Sequence, residues 1–252
     1  MAFHLSLFDA SIANGTVLVQ IAAVADPVVA PAGTLGFLVN PNLPNIVRIA
    51  AVGTNLTRAQ LSSGAIRALA LYDIGPVNIG TVVESPPRMV DMLEQPFALK
   101  PNEELDAFGV QSNAGAQRIT VAVTFADGPI TPVHGKIWTL HWTATATLVA
   151  NAFTAFTPVF DNGLPGGTFA VVGSRALSAG ALYHRFIPRG VGTFRPGTFA
   201  FQAQDNSAFK GDRWGAMGQW FTFQNTGLPQ IEIFSRSADT SQEGYLDVIQ
   251  TG

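Results

Sequence analysis

Leu164-Pro165-Gly166-Gly167-Thr168-Phe169-Ala170-Val171-Val172-Gly173 has an earlier counterpart in Leu43-Pro44-Asn45-Ile46-Val47-Arg48-Ile49-Ala50-Ala51-Val52-Gly53. Each is a Leu-Pro turn, then a β-type run, then a Val-Gly stop. A second echo follows each: Leu61-Ser62-Ser63-Gly64-Ala65-Ile66 against Leu177-Ser178-Ala179-Gly180-Ala181-Leu182. A third closes each half. Leu105-Asp106-Ala107-Phe108 and Arg118-Ile119-Thr120-Val121 match Ile231-Glu232-Ile233-Phe234 and Tyr245-Leu246-Asp247-Val248. The offsets are 121, 116 and 126 to 127 residues, in a chain of 252. Three echoes in one order near one offset argue for a duplicated domain. They also make a firm expectation: Gly53 and Gly173 occupy equivalent places.

Around this repeat the chain reads as short strands. Phe3, Leu5 and Leu7 alternate as a strand or packing arm; Val17–Val24, Thr34–Val39 and Ile46–Val52 follow, each closed by Pro, Gly or Asn. Thr57–Leu61 fits one helical turn. Ala65–Ile74 reads as a strand, with enough Ala and Leu to allow a helix. Pro86–Gln95 is the best helix pattern, with proline in its first turn and Pro96 past its end. Glu104–Val110 and Arg118–Phe125 look like a strand pair. On the second of these, Gln117, Ile119, Val121, Val123 and Phe125 share one face.

Asp127-Gly128-Pro129-Ile130-Thr131-Pro132 is the strongest breaker and places the domain boundary, giving residues 1–130 and 131–252. The second half opens on the clearest strand, Ile137–Leu148. Trp138, Leu140, Trp142, Ala144, Ala146 and Leu148 alternate with Thr139, His141, Thr143, Thr145 and Thr147. Ala152–Phe160, Leu182–Ile187, Trp220–Phe223, Gln230–Phe234 and Gly244–Gln250 are further strands. Each half thus offers six to eight short strands, the pattern of an all-β sandwich or barrel.

Charged residues make up only 12% of the chain and apolar ones 47%, well below the roughly 25% charge of a typical soluble domain. A surface so poor in charge suits a protein largely covered by other subunits. Net charge is −3, and no Lys or Arg precedes Arg48, so a basic arm for neutralising phosphates is absent. The same absence argues against a secretory signal. No run approaches the ~20 apolar residues of a membrane span. The chain has no Cys, which excludes disulfides and thiolate metal sites.

Candidate chemistry is thin. His4, His134, His141 and His184 form no close-spaced pair and no His-Glu-x-x-His motif. Cupin enzymes share jelly-roll architecture, but their His-x-His pair is not met, since His141 is followed by Trp142-Thr143. Glu103, Glu104 and Asp106 read as a solvated turn, with Asp91 and Glu94 a second acidic pair. Asp247, inside an apolar strand, points to a structural hydrogen bond or a subunit contact. Asp205, Asn206 and Asp212 could supply oxygens to a Ca²⁺ ion, at a spacing that fits no known loop. Arg189, Arg195, Lys210 and Arg213, among Phe194, Phe199, Phe209 and Trp214, form an aromatic-packed loop or an intersubunit contact before a base-stacking groove. There is no Gly-x-Ser-x-Gly elbow, and Gly190-Val191-Gly192 lacks a phosphate loop's context. Asn55-Leu56-Thr57 is a formal glycosylation sequon. The expectation is no catalytic, cofactor-binding or metal residue.

With Leu164–Gly173, Arg195-Pro196-Gly197 and the closing Tyr245-Leu246-Asp247-Val248-Ile249, the chain resembles the double jelly-roll major capsid proteins of tailless double-stranded DNA viruses and their small phage relatives. That resemblance implies two tandem eight-stranded jelly rolls with one or two short helices in loops. It implies a homotrimer, whose six jelly rolls make a pseudo-hexameric capsomer of an icosahedral shell. The location implied is the virion, after synthesis in the host cytoplasm. The partners implied are the chain itself, neighbouring capsomers, minor capsid proteins and an internal membrane, without direct nucleic-acid binding. The rival expectation is a carbohydrate-binding surface or secreted β-sandwich using Trp138, Trp142, Trp214 or Trp220 as a platform.

Overall fold

The computed structural model describes residues 2–31, 33–69, 72–74, 90–130, 132–189, 194–202 and 212–252. It divides into two compact units: an N-terminal unit, Leu5–Gly128, and a C-terminal unit, Pro129–Gly252 with Met1–His4. Both are built from β-strands, with one short helix among the described residues. The architecture is all-β in several sheets, compatible with jelly-roll sandwiches.

In the N-terminal unit, one sheet orders β1 (Phe3–Ile12), β10 (Gln117–Ala126), β4 (Asn45–Gly53) and β7 (Val90–Asp91), with β8 (Phe97–Ala98) also on β4. The other orders β2 (Val19–Ile21), β9 (Glu104–Gln111), β5 (Leu56–Ser63) and β6 (Tyr72–Ile74), with β3 (Phe37–Leu38) on β9. In the C-terminal unit the sheets order β11 (Ile137–Ala144), β19 (Gln242–Gln250), β14 (Thr168–Leu177) and β17 (Phe221–Gln224), then β12 (Ala152–Phe156), β18 (Gln230–Ser235), β15 (Ala181–Ile187) and β16 (Gly197–Phe199). The two-residue β13 (Val159–Phe160) flanks β11. When the short accessory strands β3, β8 and β13 are set aside, both units have the order first-eighth-third-sixth and second-seventh-fourth-fifth.

This order explains the repeat. β4 and β14 are the third strands, and each pairs with its unit's last strand, Gly53 opposite Ile119 and Gly173 opposite Asp247. The two glycines therefore lie on equivalent strands, though Gly53 ends β4 while Gly173 sits inside β14 beside a bulge. The closing echo also falls on equivalent strands, β9 with β18 and β10 with β19. The middle echo does not. Leu61–Ile66 runs from the end of β5 into a helix, whereas Leu177–Leu182 ends β14, turns and starts β15.

Four local expectations are corrected. Val90–Asp91, in the Pro86–Gln95 helix pattern, is strand: Arg48 and Ile49 of β4 pair with Asp91 and Val90, and the Arg48 guanidinium meets Asp91 at 2.9 Å. Residues 86–89 of that pattern lie outside the described ones. Thr57–Leu61 is strand, because β9 pairs it along most of its length. Tyr72–Ile74 is strand, Ala70 and Leu71 lie outside the described residues, and Gly64–Leu69 is helix α1. Its start is held by the Ser63 hydroxyl, which accepts the Ile66 N–H at 3.2 Å, and by Glu103, which accepts the Ala65 N–H at 3.2 Å. Glu103 is thus a cap and not part of a free turn. Finally, β9 and β10 are not a pair; they lie in different sheets of the same unit.

The cores sit between the sheets. In the N-terminal unit, Phe8 and Phe125 of one sheet meet Phe37 of the other at ring separations of 3.8 and 6.0 Å. Trp142 and Phe156 do the same in the C-terminal unit at 6.0 Å. On the outer face of β10, Thr120, Ala122 and Thr124 have no exposed surface. Arg118 and Thr120 both bond Asp9, the latter at 2.9 Å. No described helix is long and apolar enough to cross a membrane.

A candidate interaction surface on the C-terminal unit

Period two sets the two faces of β11. Leu140 and Trp142 are buried, while Thr139 and Thr143 are exposed and His141 is partly so. Register carries this sidedness across the sheet. His141 lies opposite Tyr245, and Tyr245 opposite Arg175; Thr139 lies opposite Asp247, and Asp247 opposite Gly173. One outward face therefore gathers Thr139, His141, Tyr245, Asp247 and Arg175.

Asp247 is the centre of this face and has no exposed surface. Its carboxylate accepts from Arg213 Nε at 2.5 Å and Nη2 at 2.9 Å, from the Thr139 hydroxyl at 2.6 Å and from the Trp214 N–H at 3.1 Å. A buried carboxylate needs such partners, because an unpaired charge away from water is costly. The structural role expected for Asp247 is what the geometry shows. The Arg213 guanidinium also lies over the rings of Trp214 and Tyr245, at 4.7 and 5.0 Å. Gly173 makes the close approach possible: a Cβ there would come within 2.7 Å of the Trp214 nitrogen. His141 faces outward, its Nδ1 2.5 Å from the Asp161 carboxylate and its ring 5.1 Å from that of Tyr245.

The tryptophans divide sharply. Trp142 and Trp220 are 0% and 2% exposed and cannot serve as a platform, which corrects that part of the carbohydrate expectation. Trp138 is half-buried under Lys136, 4.5 Å away. Trp214 is 54% exposed.

Among the described residues, two of the basic loop's arginines are held by carboxylates, while Arg189 is exposed. Arg195 meets Glu232 at 3.6 Å, Arg213 is held by Asp247, and Lys210 and Phe209 lie outside the described residues. Phe199 packs against Phe201 with tilted rings 5.3 Å apart, and Phe194 helps line an apolar pocket with Pro188, Pro196 and Phe221. The acidic pairs are likewise split among structural contacts: Asp106 accepts from Gln20 at 3.0 Å, and Asp91 holds Arg48. In the sequon, the Thr57 hydroxyl donates to the Val110 carbonyl at 3.0 Å. Of the proposed Ca²⁺ oxygens, Asp205 and Asn206 lie outside the described residues, while Asp212 accepts from the Thr198 hydroxyl. Among the described residues no three His, Cys, Asp or Glu side chains converge as a metal site.

Sequence reading missed one pair. Ser174 of β14 and His184 of β15 meet across the core, with His184 Nε2 2.9 Å from the serine hydroxyl. The other ring nitrogen, Nδ1, faces the Phe199 carbonyl at 3.1 Å. That carbonyl can only accept, so Nδ1 carries the proton and Nε2 accepts from Ser174. Burial pushes the His184 pKa down to about 4. The distance would suit a nucleophile and its base, but both residues have no exposed surface. The pair ties the two sheets together. No sequence motif marks it, because the two residues meet only when the sheets close.

No family model matches the chain, and no curated protein matches it. A solved structure, the major capsid protein P2 from Bacteriophage PM2, matches over 98% of both chains at 11% identity and a TM-score of 0.25. Chains with so low a TM-score do not superpose as wholes, so the reading of this protein rests on its own strand order and surface.

Proposed function

We propose that this protein is a structural coat component: a double jelly roll that assembles with copies of itself into a viral shell. The observation that carries the reading is the shared strand order of the two units. First-eighth-third-sixth facing second-seventh-fourth-fifth is the order of an eight-stranded jelly roll, an architecture used by viral capsids, lectins and cupins. Finding it twice in one chain favours the coat role, since a closed shell is built by repeating one sandwich around symmetry axes. Low charge supports the same reading. A charged fraction of 12% is what a chain covered by its neighbours would tolerate.

On this reading the working unit is a homotrimer forming a pseudo-hexameric capsomer. Its partners are neighbouring capsomers, minor capsid proteins and an internal membrane, and it works without catalysis and without gripping the genome. Size-exclusion chromatography with light scattering tests it. The expected species has about three times the 26.6 kDa chain mass, and negative-stain images show three-fold particles or shells. A chain that stays monomeric at every concentration overturns the proposal.

A further inference from the structure

We propose that Asn162, in the turn Asp161-Asn162-Gly163, is a self-modification site at which the chain converts its own asparagine to aspartate or isoaspartate. The chemistry is independent of whether the chain assembles.

Two Asn-Gly pairs occur in the sequence, Asn14-Gly15 and Asn162-Gly163. Glycine has no side chain to shield its nitrogen, so that nitrogen can reach the amide carbon of the asparagine before it. All four residues are exposed, but the two turns are held differently. Gly15 donates its N–H to the Gln111 carbonyl at 3.3 Å, and the Gln111 side chain donates to the Ile12 and Gly115 carbonyls at 3.1 and 3.0 Å. The attacking nitrogen of that turn is engaged, and the chain around it is tied down. At the other turn the last fixed residue is Asp161. Its N–H donates to the His141 carbonyl at 3.1 Å, and its carboxylate lies 2.5 Å from His141 Nδ1. The next anchor is Gly166, whose carbonyl accepts from Gln250 at 3.2 Å. Between these anchors, Asn162, Gly163, Leu164 and Pro165 make no hydrogen bond among the described residues. A short segment pinned only at its ends opens at low cost, and the Gly163 nitrogen has no bond to give up.

The Gly163 nitrogen attacks the side-chain carbonyl carbon of Asn162 and forms a new C–N bond. The amide nitrogen leaves as ammonia, taking the Gly163 N–H proton with it, and a succinimide ring closes. Water then opens the ring at either carbonyl. One opening leaves aspartate; the other leaves isoaspartate, with the main chain rerouted through the side chain. Water is the sole co-reactant, and nothing is oxidised or reduced. At neutral pH the product places a second carboxylate next to Asp161, where that residue pins the turn to His141 of β11.

Incubation of the full chain in mildly alkaline buffer, followed by peptide mass spectrometry with isoaspartate detection, tests this. The expected result is conversion at Asn162 roughly fivefold faster than at Asn14, the factor that opening one protecting hydrogen bond supplies. In the urea-unfolded chain the two sites should convert at equal rates, since both are Asn-Gly. Gly163→Ala should fold as wild type does, because Gly163 lies outside the left-handed region and a Cβ there meets nothing within 4 Å. Its methyl group shields the nitrogen, so conversion at Asn162 should largely stop. Equal rates at the two sites of the folded chain, faster conversion at Asn14 or an unchanged Asn162 overturns the proposal. So does a Gly163→Ala chain that converts as fast as wild type. A preference for Asn162 that persists in urea also overturns it, because neighbouring residues and not the free turn would then set the rate.

Discussion

Arg213 and Asp247 form a two-pronged ion pair, Nε to Oδ2 at 2.5 Å and Nη2 to Oδ1 at 2.9 Å, with the Asp247 side chain fully buried. Removing one partner strands the other charge. Asp247→Ala is expected to cost about 3–5 kcal/mol, the range for breaking a buried pair from one side. Urea unfolding at neutral pH measures it. The double variant Arg213→Met with Asp247→Leu should lose much less than Asp247→Ala alone, because neither charge is left behind.

The two echo glycines predict a graded response. At Gly173 a Cβ would lie 2.7 Å from the Trp214 nitrogen and 2.8 Å from the Arg213 Cα, both main chain. At Gly53 it would lie 2.9 Å from the Arg118 carbonyl oxygen. Each alanine substitution is expected to destabilise by about 1–3 kcal/mol, as overpacking does. Gly173→Ala alone should also disturb Trp214, read as a shift in tryptophan emission.

Trp142 and Trp214 should behave as opposites. Trp142 is fully buried against Phe156, and its replacement by Ala is expected to cost about 3–5 kcal/mol. Trp214→Ala, at an exposed position, should cost under about 1 kcal/mol. Thermal melts of the two variants side by side check the contrast. Equal losses would contradict the surface position of Trp214.

His184 predicts an acid limit on stability. Its folded pKa lies near 4 because burial disfavours the charged ring, against about 6.5 unfolded. The unfolded chain therefore binds the extra proton first as pH falls. The stability contributed by a neutral His184 is complete above pH ~6.5 and declines between there and pH ~4, by about 3 kcal/mol in all. His184→Gln should flatten that part of the stability profile, measured as urea midpoints from pH 7 to pH 4.5.

Legibility in the sequence followed solvent exposure. β11 could be read residue by residue because one face meets water, so threonines and aromatics alternate. β4 and β10 are buried on both faces, and their small and apolar runs show strand without showing which side is the core. The Pro86–Gln95 pattern misled because proline and Met-Leu spacing suit a helix locally. At Val90 and Asp91, pairing with β4 and the Arg48 ion pair outweigh that preference. The β9–β10 error has a related origin: alternation identifies two strands but not whether the chain folds back beside itself or crosses to the facing sheet. At the candidate surface, Asp247 was visible as a misplaced charge, whereas its partner was not.

By itself, then, the sequence determined the strand-rich character of both halves, the order in which their motifs recur, and the inward and outward faces of β11. These follow from periodicity, turn chemistry and composition, which neighbouring residues express locally. Tertiary structure alone decided the sheet each strand joins, that Arg213 reaches Asp247 across 34 residues, and that Trp142 is core while Trp214 faces solvent. Those outcomes depend on how two sheets close over a shared core. Pairing and burial are set there by contacts distant in sequence, which no local pattern records.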